Sequence, residues 1–546
     1  MPKATRSWVT DLFVLTLLIG FLYSISMSNR PLAPPDEGRY SEIPREMVAT
    51  GDYITPRLNG IKYFEKPALF YWLQSLSIKA FGLNEWSLRL ATELMGILGC
   101  LFTYIGSRKL YDRQTALYAT LILASSMLYA GLAHFITIDM TVSVFLIGSL
   151  LAFMVGNKYP AGKTRRNYLW LMYFFAALAT LTKGLIGVIF PGMIIFTWLC
   201  VTGQWRQLSS YCLLSGTGIF LIITLPWHIL VQLKNPEFFN FYFIDQQFLR
   251  YFTDYAGRSQ PLWFFPVVLL AGFFPWTGFL FSALKEHFQA WRNLKKYPFE
   301  LFLLLWASLI FLFYWLSHSQ LIPYILPIFA PLAILTGRYI SQYINDTERM
   351  KFGLGVALIS SIIMYIAALV FTHSAPLENM TANFIGVTPL FLGIILLFFK
   401  RISGFFIFVS LALTTACLLL VATYNYNQFE TRSIKPLATN LVKFIRSDDI
   451  IYSFHHYAQD LPFYLGRKVK IVNWRGELDF GIKHQNTKDL FLNDQQLQTE
   501  WPNKTRKFMV LKKQDLPYFN TCPSLKYYVI TEEGKYALIC NQDIKQ

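Results

Sequence analysis

Residues 30 to 67, RPLAPPDEGRYSEIPREMVATGDYITPRLNGIKYFEKP, interleave acids and bases: Asp36, Glu37, Arg39, Glu42, Arg45, Glu46, Asp52, Arg57, Lys62, Glu65 and Lys66. A lipid anchor would be mostly lysine and arginine. Mixed signs instead suit a site that handles a polar, phosphorylated substrate. Asp36 follows Pro34-Pro35, which restrict the backbone leading into it and favour a fixed loop. A second acid, Asp139, opens an apolar run in HFITIDM. Asp36 and Asp139, flanked by Arg39, Lys66, Arg250 and Arg258, could together bind a cationic or hydroxylated sugar and an anionic phosphate. The plainer readings are a helix N-terminal carboxylate for Asp139 and a loop ion pair for Asp36.

The elements that must position these groups are membrane spans. Of 546 residues, 54% are hydrophobic, 17% aromatic and only 15% charged, far more apolar than a soluble globular protein. The fold class is therefore a polytopic α-helical membrane protein. The formal charge of +17 lies in short loops between spans, where topology accounts for it without nucleic acid. About thirteen runs of span length follow one another. They lie near 8–28, 86–107, 114–132, 139–156, 168–183, 184–202, 208–231, 262–283, 300–316, 321–337, 352–372, 383–399 and 403–422. The first resembles a signal peptide, but its length and the lack of a small-residue cleavage site before Pro31 read as an uncleaved span that starts in the cytoplasm. Alternation then puts basic residues in every cytoplasmic loop, among them Arg108-Lys109, Arg165-Arg166, Lys295-Lys296 and Lys400-Arg401.

On the far side lie the loops 29–85 and 232–261 and the turns HFITID, SHSQ and THSAPLENMTAN. Ala68 to Phe81, aromatic and apolar, fits an amphipathic helix in the membrane interface or a cover over its loop. The domain reading is a membrane domain over 1–422 and a soluble α/β domain over 423–546, with strands at Lys468 to Val472 and Lys507 to Leu511 and a helix at Ile434 to Ile445. Cys522 and Cys540 are the two cysteines of that tail and could pair in an oxidising compartment. No phosphate-cradling glycine loop, metal-ligand cysteine spacing or Ser-His-Asp signature stands out, which argues against an ATP-driven mechanism. The aromatic clusters Phe238-Phe239 to Phe243 and Trp263-Phe264-Phe265 read as interface belts, and Pro323 and Pro327 as a kink in the tenth span.

The stretch PPDEGRYSEIPREMVATGDYITPRLNGIKYFEKPALFYWL resembles the first external loop of polytopic GT-C glycosyltransferases that use lipid-phosphate-linked sugars. It is most similar to the bacterial aminoarabinose lipid A transferases, relatives of the protein O-mannosyltransferases. HFITIDM, LTKGLIGVIFPG, FLRYFTDYAGRSQPLWFF, SHSQLIPYILP and DLPFYLGRKVKIVNWRGELDFG resemble the same family in the same order. The resemblance implies an inverting transferase of the bacterial inner membrane that takes a sugar, 4-amino-4-deoxy-L-arabinose, from undecaprenyl phosphate at the periplasmic face. The implied acceptor is a lipid A phosphate. By resemblance Asp36 and Asp139 fall on the functional acids, and Arg39, Tyr40, Tyr63, Lys66, Arg250 and Tyr324 line the lipid-phosphate cavity. No cofactor is required; Glu65 could hold a divalent ion, but a lone carboxylate beside Lys66 is more often an ion pair. Two positions depart from the family pattern: Gln320 stands where lysine is common, and Gln247 where histidine is. The alternative is a transferase of the same fold with a different sugar or with a protein Ser/Thr or other envelope glycan as acceptor. A transporter of the lipid-linked sugar is the rival class, but it would carry its polar residues inside paired, broken spans, whereas these gather in external loops.

Overall fold

In a computed structural model of the chain, residues 3–24, 30–253, 257–289, 296–372, 408–417 and 433–544 are described. The chain forms two compact units. One comprises Met1–Met27, Arg89–Ile229 and Phe239–Asn425, the other Ser28–Leu88, Leu230–Phe238 and Tyr426–Gln546.

The first unit is helical. Each apolar run up to residue 372 coincides with a helix or a helix pair: α1 (Lys3–Ser24), α4 (Glu85–Leu110), α5 (Arg113–Ser125) with α6 (Met127–Ala133), α7 (Ile138–Asn157), α8 (Lys163–Lys183), α9 (Ile186–Thr202), α10 (Leu213–Lys234) and onward to Thr347–Thr372. Among the described residues six helices are long and apolar enough to cross a membrane, or up to eight if each bent pair is one span. The expected run 383–399 and the turn THSAPLENMTAN lie outside the described residues, apart from Thr372 at the turn's start, and of 403–422 only the apolar helix Phe408–Cys417 lies within them. The α5–α6 pair bends by 65°, and helices Phe264–Gly272 and Thr277–Gln289 meet at 109°. Pro323 and Pro327 lie in a 3-10 turn, Ile322–Ile328, that runs into helix Phe329–Tyr343. The central helix is α7, apolar all round and buried from Ile138 to Gly156, as a helix enclosed by other helices must be. The aromatic clusters divide: Phe239 and Trp263 are exposed, Phe265 is buried. Much of the expected loop 232–261 is helical, with a π-helix over Asn240–Leu249.

The second unit joins residues 28–88 and 230–238 to the tail. Its six-stranded sheet has the order β5-β4-β3-β6-β8-β7, with β3 (Ile450–Phe454), β4 (Lys470–Val472), β5 (Phe491–Leu492), β6 (Lys507–Lys512), β7 (Tyr528–Glu533) and β8 (Tyr536–Cys540). The first four strands run parallel, β8 antiparallel to β6 and β7. Tyr452, Phe454, Met509, Leu511, Ala537 and Ile539 form one buried face with Trp501 and Phe519. Residues of opposite parity, such as Ile451, Phe508, Val510 and Leu538, are buried too, the pattern of strands covered on both faces. Cys522 and Cys540 are free thiols.

Against this tail packs α2 (Asp36–Thr50), so the loop expected around Asp36 is a helix. Its signals are in the sequence: prolines before the first turn, Asp36 and Glu37 within it, and Gly51 with φ 72° closing it, as helix start and stop signals require. After α2, the ribbon of β1 (Arg57–Leu58) and β2 (Ile61–Lys62) leads to α3 (Leu69–Phe81), the helix expected over 68–81. Asn59 at the ribbon's turn pairs with Val469 through both its amide groups, at 2.7 and 2.9 Å. Leu32 N donates to the Tyr464 hydroxyl at 2.9 Å.

Candidate active site

Helix α2 is polar, yet every residue from Glu37 to Met47 is buried. Buried charges persist only when paired and hydrogen-bonded, and here they pair. The Glu37 carboxylate accepts from Arg30 at 2.8 Å and from Ala33 N at 2.9 Å. Glu42 and Arg45 form a two-bonded pair at 2.6 Å. Glu46 accepts from Gly60 N at 2.7 and 2.9 Å, which ties the helix to the ribbon turn. Arg45 faces two carboxylates, and burial together with Glu46 pushes Glu42 up to about 8 against the pull of Arg45. Much of the charge in this stretch therefore holds the fold. Asp36 differs, with its side chain 45% exposed at the start of a helix fixed on all sides.

Arg39 sits one turn along, 6% exposed. Its guanidinium pairs with Asp36 through one nitrogen and with Glu477 of the tail through another, which also donates to the Tyr63 hydroxyl at 3.1 Å. The Tyr40 ring lies 5.2 Å from the same guanidinium. Burial opposes the charge on Arg39, but its acidic partners hold it well above its ordinary value. Burial also pushes the Tyr63 hydroxyl far up despite Arg39, so it stays a neutral hydrogen-bonding group. Asp36, Arg39, Tyr40 and Tyr63 thus form one cluster. Lys66, largely buried, donates to the Glu65 carbonyl at 2.9 Å. Gly38 permits the approach of α2: a Cβ there would lie 2.7 Å from Asp460 N and 2.9 Å from Gln459 C.

The first unit holds the other expected residues. Asp139 lies in the first turn of α7, its N–H held by the Thr137 hydroxyl at 3.3 Å, so its helix N-terminal reading holds. It also pairs with Lys183, the last residue of α8. Lys183 Nζ stands 4.1 Å from the Tyr324 ring centroid, which links two expected residues through one that was missed. The signal was a lone base closing an apolar run, costly without a partner. After it, Gly184 at φ 89° ends the helix in a space bounded by Tyr242 and Gln247. Arg250 donates to Gln246 Oε1 at 2.9 Å, and the Arg258 carbonyl accepts from Gln320 N at 3.1 Å. Gln320 Nε2 donates to the carbonyls of Tyr314, Trp315 and Ser317 at 3.0 to 3.3 Å. At this position the side chain caps helix Pro298–Trp315, a task for any long donor. Among the described residues no group of three or more His, Cys, Asp or Glu is placed to hold a metal ion.

Comparison with known proteins gives this geometry a family. The model of dolichyl-phosphate-mannose-protein mannosyltransferases matches residues 65–230, and that of the aminoarabinose transferase C-terminal domain matches 437–541. The crystal structure of ArnT from Cupriavidus metallidurans bound to undecaprenyl phosphate superposes with a TM-score of 0.86 at 27% identity, covering 98% of both chains. Its apo form gives 0.83 over 99% of both. The undecaprenyl phosphate-alpha-4-amino-4-deoxy-L-arabinose arabinosyl transferase of Edwardsiella ictaluri is 30% identical over 338 residues, 62% of this chain and 60% of that protein. The protein of the same name from Shewanella sediminis is 30% identical over 381 residues, 68% of each. The chain thus spans about 60% of the length of the first relative and about two thirds of the second. On these matches the chain is a multi-pass membrane protein of GT-C fold and belongs to the bacterial undecaprenyl phosphate-aminoarabinose arabinosyl transferase family.

Proposed function

We propose that the chain is an inverting glycosyltransferase that moves 4-amino-4-deoxy-L-arabinose from undecaprenyl phosphate to a lipid A phosphate, at the periplasmic face of the inner membrane. The observation that carries this reading is Asp36: a half-exposed carboxylate at the N-terminal end of a buried helix, paired with Arg39. The names of the relatives and the lipid phosphate bound to ArnT from Cupriavidus metallidurans support the donor.

In this reaction the bond from the sugar carbon to the polyprenyl phosphate oxygen breaks, and negative charge builds on the leaving phosphate. Cations such as Lys66 and Arg250 are the groups that stabilise it. Tyr63 and Tyr40, buried against the Arg39 guanidinium, hold that cation in place beside Asp36. The acceptor phosphate is already ionised at neutral pH, so no base is needed to activate it. Asp36 then orients the donor and offsets positive charge that develops on the sugar, and Asp139 acts on the cationic amino-sugar. A single displacement needs no enzyme nucleophile and inverts the anomeric carbon. The mannosyltransferase match over 65–230 favours one second reading, a hydroxyl acceptor for which Asp36 is the general base.

Mass spectrometry of lipid A tests the proposal, from cells that make the donor and express either the chain or Asp36→Ala at equal membrane abundance. A phosphate-linked pentosamine increment, present with the intact chain and lost in the variant, is expected. Unchanged lipid A in both sinks the lipid A acceptor and turns the search to glycoproteins and other envelope glycans.

A further inference from the structure

The tail supplies a group to the Asp36 cluster that none of the expected roles uses. Glu477 follows β4 in a 3-10 turn, Gly476–Leu478. Its side chain is 14% exposed, against 45% for Asp36. One carboxylate oxygen pairs with Arg39, and the other accepts from Gln459 Nε2 at 3.2 Å. Arg39 is thereby gripped from two sides. The anchored side is the buried Glu477, and the open side is Asp36.

We propose that Glu477 is a positioning residue for the transfer reaction: it holds the Arg39 guanidinium back, so that Asp36 keeps a carboxylate oxygen available to the sugar. The inference rests on the reading of Asp36 above. With Glu477 neutral, Asp36 becomes the one carboxylate that pairs directly with Arg39 in this cluster. The guanidinium then moves onto Asp36 as a two-bonded pair, the geometry that arginine and a carboxylate favour when nothing competes. Asp36 is then both displaced and neutralised. The groups that face this pair are Tyr40 on α2, Tyr63 and Glu65 on the segment after the ribbon, Tyr71 on α3 and Tyr457 of the tail. Burial keeps the Tyr63, Tyr71 and Tyr457 hydroxyls neutral, and Glu65 is present alike in wild type and variant. Burial raises the Glu477 carboxyl above its ordinary value, and the Arg39 guanidinium is the group that draws it back.

The test compares purified wild type with Glu477→Gln and Glu477→Asp, using undecaprenyl-phosphate-linked aminoarabinose and lipid A across pH. Glutamine keeps the size and an accepting oxygen but not the charge; aspartate keeps the charge on a shorter stem. The expected result for Glu477→Gln is a kcat lower by about tenfold with KM for the donor little changed. Its acid limb moves to lower pH, because the carboxyl that burial raises is no longer there to titrate. Glu477→Asp recovers part of both effects. The inference is overturned by a folded Glu477→Gln with unchanged kcat and pH profile, and equally by a rise in KM at constant kcat, which would make Glu477 a donor-binding group. A wild-type chain that transfers no sugar refutes the parent reading, whereas unaltered variants beside an active wild type refute only the role of Glu477.

Discussion

Lys183→Met tests whether the buried pair with Asp139 holds the first unit together. The substitution keeps the length of the side chain and removes its charge. Asp139, 8% exposed, is left as a buried carboxylate without its cation. Removing one partner of such a pair costs about 3–5 kcal/mol. Two supports remain at Asp139: the Thr137 hydroxyl at 3.3 Å and the N-terminal end of α7. Together they offset about 1–2 kcal/mol, which leaves a net loss of about 2.5 kcal/mol by the same bookkeeping. For a helical unit of this size that is a fall in melting temperature of roughly 3–6 °C, readable by following the monomer peak of detergent-solubilised protein after heating. Asp139→Asn combined with Lys183→Met removes both charges and recovers at least half of the loss, since a neutral pair strands no ion. Transfer activity does not recover with it if Asp139 acts on the donor. A single variant that melts with wild type, or a double variant that melts below the single, refutes the reasoning.

Two further outcomes follow from the second unit. The Glu42 carboxyl is raised in the fold from its ordinary 4.5 to about 8, so its contribution to stability is full below about 4.5 and is lost as pH rises through 8; melting temperature falls across that window, and Glu42→Gln flattens the dependence. Gly38→Ala sets a Cβ 2.7 Å from the Asp460 nitrogen and 2.9 Å from the Gln459 carbonyl carbon. Backbone yields little, so α2 must shift from the tail at a cost of about 1–3 kcal/mol, with lower thermal stability and a loss of transfer larger than the loss of folded protein; equal losses would mean the shift spares the Arg39–Glu477 contact.

The architecture was legible where the physics is local. Span-length apolar runs become helices because the bilayer sets their length, and the short apolar runs after residue 433 become strands because a parallel sheet buries both faces of its strands. The helix at Asp36 was legible too, in Pro34-Pro35, two acids and Gly51, but eleven consecutive buried residues from Glu37 to Met47 carry no apolar stripe to announce it. Its periodicity is masked because the helix buries charges in pairs rather than a hydrophobic face. The partners of those charges divide by distance along the chain. Glu42 and Arg45 lie three residues apart, as neighbours on one helix face do, and could be paired on spacing alone. Lys183 was half legible: a base that ends an apolar run must find an acid on another span, and Asp139, an acid opening such a run, was in view. Glu477 was not legible. It lies 438 residues from Arg39, and Asp479, Asp494 and Glu500 of the same tail offer the same chemistry. Only the folded sheet decides which of these carboxylates arrives, and that choice is what joins the tail to Arg39 and, through it, to Asp36.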